Sequence, residues 1–339
     1  MTRRLTVKAV GPGVTVQDLG RPGYRALGLT QGGAADQLAL YEGAALLGQD
    51  ARLAAIEMAG SGGTFSVDAD ARIALTGAEM TVRLDGEALA WHASHLLPAG
   101  STLEIGGARA GSYGYLHLGG GIDTPEIMGA RGSHLAGGIG GTLNAGDALP
   151  LGPDPRPQTG MILLPEDRLA GGTLRVVASM QTKDFAPEAL ARFTSTTFHR
   201  DARANRMGVR LALETEGFAT EEMLSIVSEV VVPGDIQIAG DGAPYILLYE
   251  CQTTGGYPRI GTVLPCDLPR AAQAPIGAPL RFEMVEMAEA VSAQKRYLSD
   301  LVGLPQRIMP LVRDPGEIAD LLSYQLVGGA VSALQDPFT

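Results

Sequence analysis

The densest run of chemically able residues is Gln252-Thr253-Thr254-Gly255-Gly256-Tyr257-Pro258-Arg259, which directly follows the apolar segment from Tyr245 to Tyr249. Two glycines after a strand let backbone N–H groups come close to a ligand, and the flanking hydroxyls and amide offer hydrogen bonds of both senses. Such a loop suits an anion or an amide; the same residues also suit an ordinary glycine turn between strands. Upstream, Gln237 falls in a strand-like stretch and Asp241 at a Gly-flanked turn, and downstream come Cys266, Asp267, Arg270 and Gln273. Amides, carboxylates and guanidinium groups around one loop cluster would handle a planar amide or a carboxylate. Gln237, Asp241, Gln252 and Asp267 are the catalytic candidates, with Thr253, Thr254, Gly255, Gly256, Tyr257 and Gln273 as substrate-binding ones.

A second polar stretch runs from Gly11 to Arg25 and holds Gln17, Asp18, Arg21 and Arg25 among turn residues. Asp18 and Arg21 are candidates for contacts with a carboxylate or phosphate, or for pairing with each other to hold the loop. Other signals are weaker. The glycine runs Gly119 to Gly121 and Gly137 to Gly141 lack the Lys-Ser or Lys-Thr that completes a phosphate loop. His92 and His95 stand three apart, but in no recognisable helix, and no metal is expected. Cys251 and Cys266 are too few for a disulfide framework and read as reduced thiols. Cys266 has no histidine within sixty residues on either side, so it reads as a packed or lining thiol rather than a nucleophile.

These loops need strands to hold them. Forty-six glycines and 21 prolines punctuate short runs that alternate apolar and polar, such as Arg72 to Leu75 and Met80 to Leu84, and Asp85-Gly86 is a hairpin signal. The texture predicts a mainly β fold. Helical spacing is confined to Ala34 to Leu47, the stretch after Pro187, and the C-terminal segment, where Asp314-Pro315-Gly316-Glu317 has the pattern of a helix start. A proline-rich passage from Gly152 to Gly172 divides the chain into a lobe over 1–152, a linker over 153–172, a second lobe over 173–289 and a helical tail over 290–339. Arg21-Pro-Gly-Tyr-Arg25 echoes Arg206-Met-Gly-Val-Arg210, as related lobes would. The formal charge of -11 argues against a nucleic-acid surface, and only Lys8, Lys183 and Lys295 are lysines, so anions would meet arginine forks. No apolar signal core and no run of about 18 apolar residues occurs, which makes the cytoplasm the expected compartment, away from any membrane.

The order Val14-Thr15-Val16-Gln17-Asp18-Leu19-Gly20-Arg21-Pro22-Gly23, then Gly33 to Asp36, Gly119-Gly120-Gly121-Ile122-Asp123 and Gly146-Asp147 closely resembles the allophanate hydrolase subunit 2 family of biotin-dependent carboxyltransferases. Asn205 to Leu211, Gln237, Gly255-Gly256-Tyr257-Pro258 and Asp267-Leu268-Pro269 continue the resemblance, which covers about Leu5 to Phe282. It implies two cyclophilin-like β-barrel lobes in tandem, with the C-terminal tail left for docking or for a homo-oligomer contact. It also implies two partners, one of the allophanate hydrolase subunit 1 (KipI-like) type and one LamB/YcsF-like. The implied reaction is ATP-driven opening of the 5-oxoproline lactam to glutamate. In that reading Arg206, Arg210 or Arg259 would clamp the substrate carboxylate while Gln237, Gln252 and Thr253 orient the amide, and phosphorylation of the lactam oxygen would activate it. ATP would be shared with the partner subunits. Two alternatives from the same family are carboxyl transfer from carboxybiotin to urea or a similar amide, and a KipA-like regulatory module without turnover. None of the three lysines has the Met-Lys-Met setting of a biotin site, so biotin would sit on another chain.

Overall fold

The structure, a computed structural model, describes residues 3–213, 216–218 and 227–312. Strands hold 37% of the described residues and helices 19%, which makes the fold mainly β as its turn-rich texture predicts. The helix start at Asp314 lies outside the described residues.

The first lobe is a nine-stranded antiparallel sheet built around two long strands, Ala71–Leu84 and Leu103–Leu118. The two predicted runs around Gly77 are parts of one strand. Its register against Leu103–Leu118 shifts between Gly77 and Val82, and Gly77 has φ of 72°. Bulges of this kind bend a strand and let one sheet wrap a core. Asp85 and Gly86 both have positive φ (49° and 91°) and join Arg83–Leu84 to Glu87–Ala88, as a tight hairpin requires. Leu5, Val7, Ile56, Met58, Phe65, Ile73, Leu75, Leu116 and Leu118 fill the space inside.

The second lobe closes. Its strands run around the barrel in the order Gly172–Val177, Arg259–Val263, Asp235–Ile238, Pro244–Leu247, Gly208–Ala212, Phe198–Arg200 and Pro279–Met284. Closure comes from parallel pairing of the first and last of these in the chain. Inside, Phe193 stacks on Phe282 with centroids 4.5 Å apart, and Phe198 and Phe218 complete an aromatic cluster.

Helix Gln37–Leu47 lies between these parts. Asp36 caps it by accepting from the Ala39 amide at 3.2 Å, and Gly48 ends it in the left-handed region. The proline-rich segment between the lobes is fastened to the second by Arg270, which donates to the Gly171 carbonyl at 2.9 Å, and to the first by two ion-paired arginines. Arg72 pairs with Asp154 at 2.6 Å, and the buried Arg168 donates to Asp36 at 2.9 Å and to both oxygens of Glu42. Met161–Ile162 pairs with Met309–Pro310 from beyond helix Met287–Gly303, whose Tyr297 and Leu301 pack on Leu38, Leu46 and Leu47. Among the described residues no helix is long and apolar enough to cross a membrane.

Candidate functional site

The candidate residues gather in four places. The first is a row on the outside of the barrel. Arg210 pairs across strands with Tyr245, Tyr245 with Gln237, and Gln237 with Arg259, so these four side chains share one face. Their alternates Val209, Ile236, Ile246 and Ile260 point into the core. Gln252 reaches down from its loop and donates to Gln237 Oε1 at 3.0 Å, while Thr254–Gly255 pairs with Glu229–Val230. A methyl on Gly255 would press on the Gln237 amide nitrogen, so a side chain there would displace the end of Gln237. The Gln237 nitrogen is buried without a hydrogen-bond partner. Both guanidinium groups of the row are engaged: Arg210 with Asp201 at 2.8 Å and with Asp241, and Arg259 with Glu229 and Asp235. Thr253 is half-buried with its carbonyl taking the Val231 amide, Gly256 is half-buried, and Tyr257 is exposed.

The second place is the seam between the lobes, where the polar groups are buried and continuous. Arg206 donates to Glu250 at 2.7 Å, to the Gly33 carbonyl, and to Glu57 across the seam. Glu57 also accepts from the Tyr115 hydroxyl at 2.7 Å and the Ala35 amide at 2.8 Å. The Tyr115 oxygen in turn takes the Asp36 amide at 2.8 Å. Gln273 finishes the chain: its nitrogen donates to Asp36 and to the Tyr113 carbonyl, both at 2.8 Å, and its oxygen accepts from the Ser112 and Tyr113 amides. With every lone pair and hydrogen of its amide committed, Gln273 holds the lobes together and has nothing left for a ligand.

Asp18 and Arg21 lie beside the seam but do not spend their side chains on each other. Asp18 accepts from the Gly20 and Arg131 amides at 2.8 and 2.6 Å, and Arg21 donates to the Ile127 and Gly132 carbonyls. Asp267 stands in a fourth place, in a cavity of about 360 Å³ under the Met287–Gly303 helix, gripped through both oxygens by Arg175. Cys266 beside it has its thiol pushed up to about 11, by burial and then by Asp267; burial, above all, takes Cys251 to about 12. Both stay protonated at neutral pH, which removes their nucleophilicity.

Of the four, the seam opens on space that both lobes enclose. A cavity of about 370 Å³ is lined by Ala59, Tyr113, Leu135, Arg206, Met207 and Glu250. Burial works against the Arg206 charge, but Glu57 and Glu250 outweigh it and hold the guanidinium above its ordinary range. The Tyr113 phenol is pushed up to about 12, by burial and then by Glu57, so it remains a donor. A fixed cation, a neutral hydroxyl and a carboxylate in one cleft can bind a planar amide and stabilise charge that develops on its oxygen.

The carboxyltransferase domain family, subdomains A and B, matches residues 27–284. The chain belongs to that family. Among its relatives is the C subunit of 5-oxoprolinase from Escherichia coli K12, which is 34% identical over 305 residues, 88% of this chain and 97% of that protein. Urea amidolyase of Saccharomyces cerevisiae is 27% identical over 80% of this chain but only 16% of its own length. The crystal structure of TTHA0988 superposes with a TM-score of 0.76 at 30% identity, over 83% of this chain and 55% of that one. Kluyveromyces lactis urea amidolyase shares the fold, with a TM-score of 0.80 over 92% of this chain and 21% of that one.

For a member of this carboxyltransferase family, Arg206 was visible in the sequence as part of a motif, whereas Glu57, Glu250 and Tyr113 were missed. One signal for Glu57 was present: a lone carboxylate in the apolar run Ala54-Ala55-Ile56-Glu57-Met58-Ala59, where a charge must find a partner.

Proposed function

We propose that this chain is the C subunit of an ATP-dependent 5-oxoprolinase, and that with its companion subunits it opens 5-oxo-L-proline to L-glutamate. The observation that carries this is the span of the likeness: 34% identity over 97% of the Escherichia coli protein, against a match to 16% of a urea amidolyase. The companions in this reading are one KipI-like and one LamB/YcsF-like protein. Neither glycine run has the form of a nucleotide cradle. Gly120 is packed on the Gly152 and Pro153 backbone, and no helix follows either run in the described residues. The reading therefore leaves ATP with the companions and gives this chain the task of binding the lactam in the seam. There Arg206 and the Tyr113 hydroxyl face the lactam oxygen, and Glu250 accepts a proton from the attacking water.

Purified subunits mixed with 5-oxoproline and ATP should release glutamate only when this chain is included. Arg206→Gln should cut that rate by about 100-fold or more, the scale of losing one charged donor to a developing oxyanion. A complete set that yields no glutamate would end the proposal. Carboxyl transfer is the second reading, favoured by the family's domain and by the shared fold of urea amidolyase. It requires a biotinylated companion, which streptavidin blotting of copurified proteins would reveal.

A further inference from the structure

The seam cavity has a neighbour. A second groove of about 480 Å³ shares Ala59, Tyr113 and Ala204 with it and continues between the lobes toward Pro275 and Ile276. Its lining is small or apolar apart from Ser112, Tyr113 and Arg200, so Arg200 is its one full charge. Arg200 ends strand Phe198–Arg200 and is 8% exposed. One guanidinium nitrogen, Nη1, donates to Ser112 Oγ and to the Ala274 carbonyl, both at 2.5 Å, which fixes the group in place across the seam. Its Nε is buried with no partner, and Nη2 has none among the described hydrogen bonds.

Other buried arginines are treated differently by the fold. Arg72 faces Asp154, Arg168 faces Asp36 and Glu42, and Arg206 faces Glu57 and Glu250, whereas Arg21, which also pairs with no carboxylate among the described residues, donates to the Ile127 and Gly132 carbonyls and lines neither seam cavity. No carboxylate pairs with Arg200 among the described residues, and burial draws its charge down from the ordinary range. A chain with an excess of eleven negative charges thus lines this groove with a buried guanidinium that no carboxylate neutralises and whose Nε and Nη2 are unpaired among the described hydrogen bonds. That edge is the fork that meets a carboxylate through two parallel hydrogen bonds.

We propose that Arg200 receives the carboxylate of a small, singly charged ligand whose neutral body lies along the groove toward Tyr113 and Arg206. A second carboxylate would find no partner there, and a phosphate or dicarboxylate would overcompensate one guanidinium. The identity of the ligand rests on the 5-oxoprolinase reading: 5-oxoproline has one carboxylate on a neutral lactam ring. Its carboxylate at Arg200 would turn the lactam toward the Arg206 end, in place of a clamp by Arg206, Arg210 or Arg259, all of which are already paired with carboxylates.

The test compares wild type with Arg200→Gln and Ile276→Glu. The second variant sets a competing carboxylate at the groove mouth, on a side chain 69% exposed that folding does not depend on. In the assembled complex both should raise the KM for 5-oxoproline by about tenfold or more with a smaller change in kcat, and Arg200→Lys should recover part of the loss. Calorimetric titration of the full chain should show 5-oxoproline binding at least tenfold tighter than 2-pyrrolidinone, the same ring without its carboxylate. That preference should vanish in both variants. If Arg200→Gln fails to fold by thermal melting, Ile276→Glu decides. Unchanged KM in the folded variants, or equal binding of the two rings by wild type, overturns the proposal. Absence of glutamate from the wild-type complex would instead strike the 5-oxoprolinase reading itself.

Discussion

At the scale of residues, the buried polar groups explain both the rigidity of the seam and its sensitivity to acid. Glu57 is fully buried, and three donors surround it, which offsets the cost of removing a carboxylate from water. The histidines follow the opposite rule. Burial holds His117 down to about 3, where it bonds Thr76 Oγ1 at 2.8 Å, and holds His92, near Arg168, to about 4. In the unfolded chain the same imidazoles take a proton near pH 6.5, so their contribution is complete above that pH and is lost as pH falls toward the folded values. Each should cost about 1.4 kcal/mol per pH unit in the window from 6.5 to 5, above the range where carboxylates titrate. Urea midpoints across that window should fall accordingly, and His117→Gln should remove one proton's share of the slope. An unchanged slope in the variant would show that His117 is protonated in the fold.

At the scale of elements, local chemistry placed several boundaries and tertiary contacts moved others. The predicted helix over 34–47 begins at Gln37, because Asp36 acts as its cap, and the Asp85-Gly86 turn stands where its dipeptide placed it. The continuity of Ala71–Leu84 was not legible, since a bulge depends on what the partner strand does opposite it. Helix Gln37–Leu47 gives a test in which two effects compete. Alanine at Gly43 would gain about 1 kcal/mol in helix propensity. Yet Gly43 faces the His117 ring so closely that a methyl would fall inside it, and overpacking a core typically costs about 1–3 kcal/mol. Gly43→Ala should therefore destabilise the protein in chemical denaturation, against the usual sign for a glycine within a helix. A gain in stability would mean that the helix shifts freely on the strand beneath it.

For the whole molecule, the two lobes behave as one body to the extent that the seam network is intact. Gln273→Leu keeps the bulk of the side chain but strands the Ser112 and Tyr113 amides and one contact of Asp36, at about 1–3 kcal/mol for each group left buried and unsatisfied. The variant should melt earlier in calorimetry, with the lobes unfolding as separable transitions where wild type shows a single one. A single transition at the wild-type temperature would relocate the coupling to Arg206 and Arg168. By itself the sequence determined what is local or carried in motif order: the mainly β texture, the hairpin turn, the helix cap, the family and Arg206 as a residue of note. Tertiary structure alone decided which polar groups meet. Arg206 and Glu57 are 149 positions apart, and Gln273 and Asp36 are 237 apart. Hydrogen bonds act over about 3 Å in space, and spacing along a chain holds no record of such a distance until the strands between have folded.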